Sequence, residues 1–164
     1  SYPDVVLECL FIDNAAVQMI LNPSQFDVIL TDNMFGDILS DQGSVIAGSI
    51  GLLPSASVGL EHAMFEPIHG SYPDAKGKNI ANPVASILSM AMLLQHFKMN
   101  EESDAVVAAV LKSFSKKIVT PDILGSSKYG TNYVGDFIAD NIMELDGTFT
   151  MNDENIGLGK STII

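Results

Sequence analysis

Two aspartates, Asp37 and Asp41, stand four residues apart in the stretch FGDILSDQGS. On a helix that spacing puts both carboxylates on one face, with Ser44 and Gly48 continuing it as small residues. Phe35, Ile38, Leu39, Val45 and Ile46 are then expected on the buried side. Like charges one turn apart repel and weaken a helix slightly, and a divalent cation between them reverses that sign. Carboxylate oxygens suit Mg²⁺ or Mn²⁺. The same spacing also suits a solvated acidic helix start, where Asp favours the positive end of the dipole. A third carboxylate, Asp13, reads either as a helix cap or as a ligand. Asp13 and the Asp37 helix both follow predicted strands, and ligands of open α/β sheets gather at the carboxyl ends of strands.

A second candidate is the loop from Glu66 to Asn82, EPIHGSYPDAKGKNIAN. It leads to a helix N-terminus, where free backbone N–H groups and a positive field suit a pyrophosphate. Gly70 and Gly77 allow close backbone approach. Asp74 is placed to accept hydrogen bonds from a ribose, and its charge disfavours a 2′-phosphate, so NAD is preferred over NADP. His69 can stack on, or hydrogen-bond to, an adenosine. A plain surface turn with a satisfied histidine fits the same composition. The glycine pattern G-x-G-x-x-G is absent, so any dinucleotide site here is not of the ordinary Rossmann kind. His62 and His96 lack a partner pattern and read as structural.

The elements that must position these residues alternate between strand and helix, which predicts an α/β architecture. Residues 5–12 read as a buried strand, followed by a helix with Ala16, Val17, Ile20 and Leu21 at helical spacing, stopped at Asn22-Pro23. Residues 26–31 read as a second strand. Asn33 is the expected cap of a helix over about 34–48. Residues 49–59, rich in Gly and Ser, read as a connector crossing between domains. A third strand is expected at 63–68 and a polar loop at 69–81. Asn82 then caps a helix with Pro83 at its first position, apolar nearly all round and therefore central. An amphipathic helix over 101–118 carries the stripe Val107, Val110, Leu111, Phe114 and Ile118, with Lys116 and Lys117 in its last turn. The last helix spans 133–145, with Val134, Phe137, Ile138, Ile142 and Leu145 facing inward. A polar tail follows.

Composition narrows the function classes. Hydrophobic residues make up 47% of the 164, which supports a packed core rather than disorder. The longest apolar region, residues 84–94, is too short to cross a bilayer. The N-terminus shows no basic segment followed by an apolar run, so no signal peptide is expected. The formal net charge of −12 opposes binding to nucleic acid. Cys9 is the only cysteine, which excludes an internal disulfide framework and makes a reducing, cytoplasmic setting the simplest expectation. Flanked by apolar residues, it is expected to be buried. All eight cations are lysines. Dicarboxylate sites usually use bidentate arginine, so the cationic half of such a site is expected outside this chain.

The strings IDNAAVQMI, FDVILTDNMFGDILSD, GSIGLLPSASVG and EPIHGSYPDAKGKNIANPVASILSMAMLL occur in this order. Over residues 2–144 the chain resembles the isocitrate/isopropylmalate dehydrogenase family, and within it the members acting on 3-isopropylmalate. The related isocitrate dehydrogenases typically carry a Gly-Ala variant of the SAS segment, and a lysine at the place of Asp74 when they use NADP. The resemblance implies an α/β fold of that family, present in part as its C-terminal half and distinct from a classical Rossmann fold. Residues 1–50 would belong to the substrate and dimerisation domain, 51–145 to the NAD-binding domain, and 146–164 to a C-terminal extension. Asp37 and Asp41 would bind Mg²⁺ or Mn²⁺. Asp13 would reach metal and substrate from the partner subunit of a homodimer. Glu66, His69, Gly70, Ser71, Asp74, Ala81 and Asn82 would bind NAD.

The implied activity is oxidative decarboxylation of a 2-hydroxy dicarboxylate, 3-isopropylmalate, in leucine biosynthesis. The family's substrate-binding arginines, catalytic tyrosine and catalytic lysine lie upstream of the matched region. No catalytic residue is therefore expected within this chain, and it is expected to be inactive alone. Isocitrate, homoisocitrate and tartrate dehydrogenases remain open as relatives. So does a non-catalytic regulatory or dimerisation subunit of the same fold.

Overall fold

A computed structural model describes residues 2–143 and 162–163. The chain divides into two compact units, Ser1–Ile46 with Gly157–Ile164, and Ala47–Ile156.

The first unit holds helix α1 (Ile12–Leu21), strand β1 (Val28–Ile29) and most of helix α2 (Asn33–Ala47). Strand β1 pairs in parallel with β4 (Thr162–Ile163), aligning Val28 with Thr162 and Ile29 with Ile163. The strand expected at 5–12 does not form. Residues 5–11 lie outside any helix or strand, and Val6, Leu7 and Phe11 are more than four-fifths exposed. A strand needs a neighbour for its backbone groups, and among the described residues β1 and β4 pair only with each other in this unit. Cys9, expected to be buried with that strand, is exposed.

Helix α2 forms where the hydrophobic period placed it, but its cap is Asp32 rather than Asn33: Asp32 Oδ1 accepts from the Phe35 N–H at 3.0 Å. Its buried residues are Leu39 and Ser44, whereas Ile38, Val45 and Ile46 are exposed, contrary to the expected face. The reason is the neighbour α2 has. Helix α1 packs through Ala15 and Met19, Gln42 Nε2 donates to the Ala16 carbonyl at 2.7 Å, and Gly43 lies next to the Met19 sulfur.

The second unit is built on α3 (Val84–His96), α4 (Asn100–Ser115) and α5 (Thr131–Met143), with an antiparallel pair, β2 (Pro54–Val58) and β3 (Ala63–Pro67). The expected connector therefore contains a strand. Its register sets Pro54 against Pro67 at the end of the ladder, where missing N–H groups cost little, and Ser55 against Glu66. Helix α3 is central, packing on the hairpin on one side and on α4 on another. Small residues let α3 and α4 approach closely: Ala85, Ser89 and Ala91 on one, Ser103, Ala108 and Ala109 on the other, with Ser103 Oγ donating to the Ala91 carbonyl at 2.9 Å. Leu52, Val84, Ala109, Val110, Val134 and Ile138 form the core.

In α4 the buried stripe is rotated from the expected one, to Ser103, Val106, Ala109, Val110 and Ser113, because the tight α3 contact selects small side chains. The helix ends at Ser115, before Lys116 and Lys117. Lys117 takes a left-handed backbone (φ 57°), its N–H bonds to the Phe114 carbonyl, and that of Ile118 to the Ser113 carbonyl. Lys98 (φ 65°) closes α3 in the same way, with bonds from Lys98 to Gln95 and from Met99 to Leu94. In α5, Val134 and Ile138 are buried, and Phe137 and Ile142 half-buried, as their spacing predicts. Leu145 and most of the tail lie outside the described residues.

Candidate active site

The acidic group belongs to the first unit. Asp37 and Asp41 lie in α2, one turn apart and both exposed. Asp37 is oriented by Asn33, whose Nδ2 donates to its Oδ2 at 2.9 Å, so the residue expected to cap the helix steers a carboxylate instead. The Ser40 hydroxyl bonds to the Asp37 carbonyl at 3.0 Å and that of Ser44 to the Asp41 carbonyl at 2.5 Å, which keeps both hydroxyls on the backbone. Asp13 sits in the first turn of α1, exposed, with Oδ1 taken by the Asn14 N–H at 2.8 Å. Among the described residues, no group of three or more His, Cys, Asp or Glu side chains converges as a metal-binding set. One copy of the chain thus does not join Asp13 to Asp37 and Asp41. The donor chemistry of the α2 pair, two exposed carboxylates with one pre-oriented, fits a hard divalent cation.

The loop from Glu66 to Asn82, the candidate cofactor segment, belongs to the second unit. Glu66 leaves β3 on an exposed position. His69 is half-buried, with Nδ1 3.0 Å from the Gly70 carbonyl. A carbonyl only accepts, so Nδ1 is the donor in this contact. Gly70, Ser71 and Asp74 are exposed, Asp74 in the short 3-10 turn Pro73–Ala75. No heavy atom lies within 4 Å of where a Cβ would stand on Gly70 or Gly77, so the backbone is open there. The start of α3 is less open than its sequence suggests. Pro83 has no N–H, and the Val84 N–H is taken by Asn82 Oδ1 at 3.0 Å. A shallow cleft of about 250 Å³ in the same unit lies by the hairpin turn, lined by His62, Phe65, His96 and Phe97 among others, and includes none of the loop residues.

Asn82 sits in a tight knot. Its Nδ2 donates to Asp122 Oδ2 at 2.9 Å, and Ser49 Oγ donates to the same oxygen at 2.5 Å. Ser49 Oγ also accepts from the Gly51 N–H at 3.0 Å, and a Cβ on Gly51 would stand 2.7 Å from that of Asn82. Burial pushes the Asp122 carboxyl upward. Hydrogen bonds from Ser49 and Asn82, the nearby Thr120 hydroxyl and its own backbone outweigh that and hold it below the usual carboxylate range. Thr120 Oγ1 is close enough to favour the charge but is not aligned as a hydrogen bond. Sequence reasoning assigned Asp122 no role and missed this one. An aspartate following Thr120-Pro121, directly after the apolar pair Ile118-Val119, was the available signal.

The isocitrate/isopropylmalate dehydrogenase family model matches residues 1–141. The chain belongs to this family. Among its relatives, the 3-isopropylmalate dehydrogenase of Aquifex aeolicus (strain VF5) is 48% identical over 153 residues, covering 92% of this chain and 42% of the relative. That of Bacteroides fragilis (strain YCH46) is 53% identical over 144 residues, covering 87% and 41%. Among solved structures, the isocitrate dehydrogenase of Methylococcus capsulatus aligns with a TM-score of 0.83 at 37% identity, over 86% of this chain and 42% of that one. A beta-decarboxylating dehydrogenase of Thermococcus kodakarensis aligns at 0.73 with 40% identity, over the same shares. The fold is that of the isocitrate/isopropylmalate dehydrogenase family, present in part: the chain spans about two-fifths of the length of these relatives.

Proposed function

We propose that this chain is the C-terminal part of an NAD- and divalent-metal-dependent dehydrogenase that oxidises and decarboxylates 3-isopropylmalate in leucine biosynthesis. The observation carrying this reading is the identity of about half with relatives named 3-isopropylmalate dehydrogenase. The reaction transfers hydride from the hydroxyl carbon to NAD, and the β-keto acid formed then loses CO₂.

Asp37 and Asp41 would hold Mg²⁺ or Mn²⁺, with Asn33 fixing the rotamer of Asp37. Asp13 would complete the set and touch the substrate from the other protomer of a homodimer, in keeping with its separation from the α2 pair within one chain. A cation held by these carboxylates would supply Lewis-acid stabilisation of the negative charge that develops on the substrate oxygen. Glu66, His69, Gly70, Ser71, Asp74, Ala81 and Asn82 would form the NAD segment. Asp74, exposed and anionic, accepts from the ribose hydroxyls and repels a 2′-phosphate.

The test is a rate assay of the protein at the length of its relatives, with 3-isopropylmalate or isocitrate, NAD or NADP, and Mn²⁺. Turnover is expected with the first of each pair, and a preference for isocitrate sinks the substrate assignment. The 164-residue chain alone is expected to form no NADH. Calorimetry with Mn²⁺ addresses the non-catalytic reading, because Asp37→Asn should abolish a heat that a degenerate subunit never gives.

A further inference from the structure

The cofactor loop is held at its far end by residues that the reading above leaves without a role. Asn79 has a left-handed backbone (φ 55°). Its carbonyl accepts from the Thr131 N–H at 3.1 Å and its Oδ1 from the Asn132 N–H at 2.9 Å, so it caps α5. Thr131 Oγ1 returns a bond to the Ala81 carbonyl at 2.6 Å. The approach is close: a Cβ on Gly130 would lie 2.4 Å from the Asn79 carbonyl oxygen. One residue further on, Asn82 is held by Asp122. Asn79 to Asn82 is thus fastened to the N-terminus of α5 and to the turn after α4, which are about 40 to 50 residues away in sequence.

We propose that Asp122 and Thr131 are positioning residues that fix Ala81 and Asn82 for the adenosine half of a dinucleotide. This rests on the NAD reading of the loop. Neither side chain needs to touch the cofactor. Each removes freedom from a segment that would otherwise be ordered only on binding, and that ordering reduces affinity. Asn82 without Asp122 keeps its bond to Val84 but loses the acceptor for its amide N–H. Ala81 without Thr131 Oγ1 keeps only its chain neighbours to orient its carbonyl.

The test is NAD binding by calorimetry, with steady-state kinetics, in the holoenzyme containing this segment. Asp122→Ala is expected to weaken NAD about tenfold, the worth of one charge-assisted hydrogen bond. Thr131→Val keeps the shape and the backbone bond to Asn79 but removes the hydroxyl donor, and is expected to weaken NAD about threefold. Asp122→Asn retains an accepting oxygen and falls between wild type and Asp122→Ala. The losses fall on KM for NAD, with kcat at saturating NAD within about twofold. Val106→Ala, buried in α4, lowers Tm but leaves NAD affinity unchanged. NAD affinity equal to wild type in folded Asp122→Asn and Thr131→Val overturns the positioning role. Weakening by Val106→Ala in step with its Tm does the same, since it makes the effect one of general stability. Absence of NAD binding by the wild type itself is a different failure and overturns the cofactor reading beneath.

Discussion

The two units of this chain bury apolar side chains very differently. The second has a contiguous core, in which Val84, Val110, Val134 and Ile138 are at most 2% exposed, closed by three helices and a hairpin. The first buries Ala15, Met19, Leu39 and Ser44, while Val6, Leu7, Phe11, Leu21, Leu30 and Val45 are each more than two-thirds exposed. Sequence hydrophobicity is similar in both. The difference is whether a segment's partners lie within the same chain. Helices α3, α4 and α5 pack on one another, whereas residues 5–11 join no helix or strand. The candidate sites divide along the same line, with the proposed metal ligands in the open unit and the proposed NAD loop in the closed one.

That contrast can be broken by mutation. Ile138→Ala is expected to cost the second unit about 2–5 kcal/mol, read by denaturant unfolding, because it opens a cavity in a closed core. Met19→Ala should cost clearly less, since its surroundings are open, and an equal loss would mean that the first unit is as well packed as the second. Next in size, Cys9 should react with a thiol reagent at nearly the rate of the unfolded chain, and strong protection would place residues 5–11 in a core after all.

Smaller effects come from the helix ends. Lys98→Gly and Lys117→Gly should each stabilise the second unit by about 1 kcal/mol, because glycine adopts the left-handed backbone without the steric cost of a Cβ. The smallest is electrostatic. The Asp122 carboxyl is held below its ordinary range, so its contribution is complete above the unfolded-state value and is lost as pH falls through the folded one. Asp122→Asn should therefore unfold with a shallower dependence on acid pH than wild type.

Much of this was legible in sequence where local periodicity and local partners coincide. The positions of α2 to α5 follow from apolar spacing, and β3 from its composition. Asn82 was read correctly as bonding to the start of α3, although the helix begins one residue later, at Val84. Which face a helix buries was less legible. In α2 Leu39 is buried as expected, but Ile38, Val45 and Ile46 of the same side are exposed, and α1 lies instead beside Gly43. In α4 the rotation toward Ser103 and Ala109 reflects a tight helix contact that spacing does not encode. The Ser49–Asp122–Asn82 knot joins residues 73 and 40 positions apart, and no local pattern reports such a meeting.

Gly51 turns that knot into a gauge. Any side chain there collides with the β-carbon of Asn82, and Asn82 is already tied on two sides, so it has little slack with which to yield. The smallest possible insertion, a single methyl group, would be transmitted to the end of the loop proposed to bind NAD, more than thirty positions downstream. Under the NAD reading proposed above, a variant at this position would look, in a screen, like a nucleotide-recognition mutant, although it lies in a connecting turn and bears no functional group of its own.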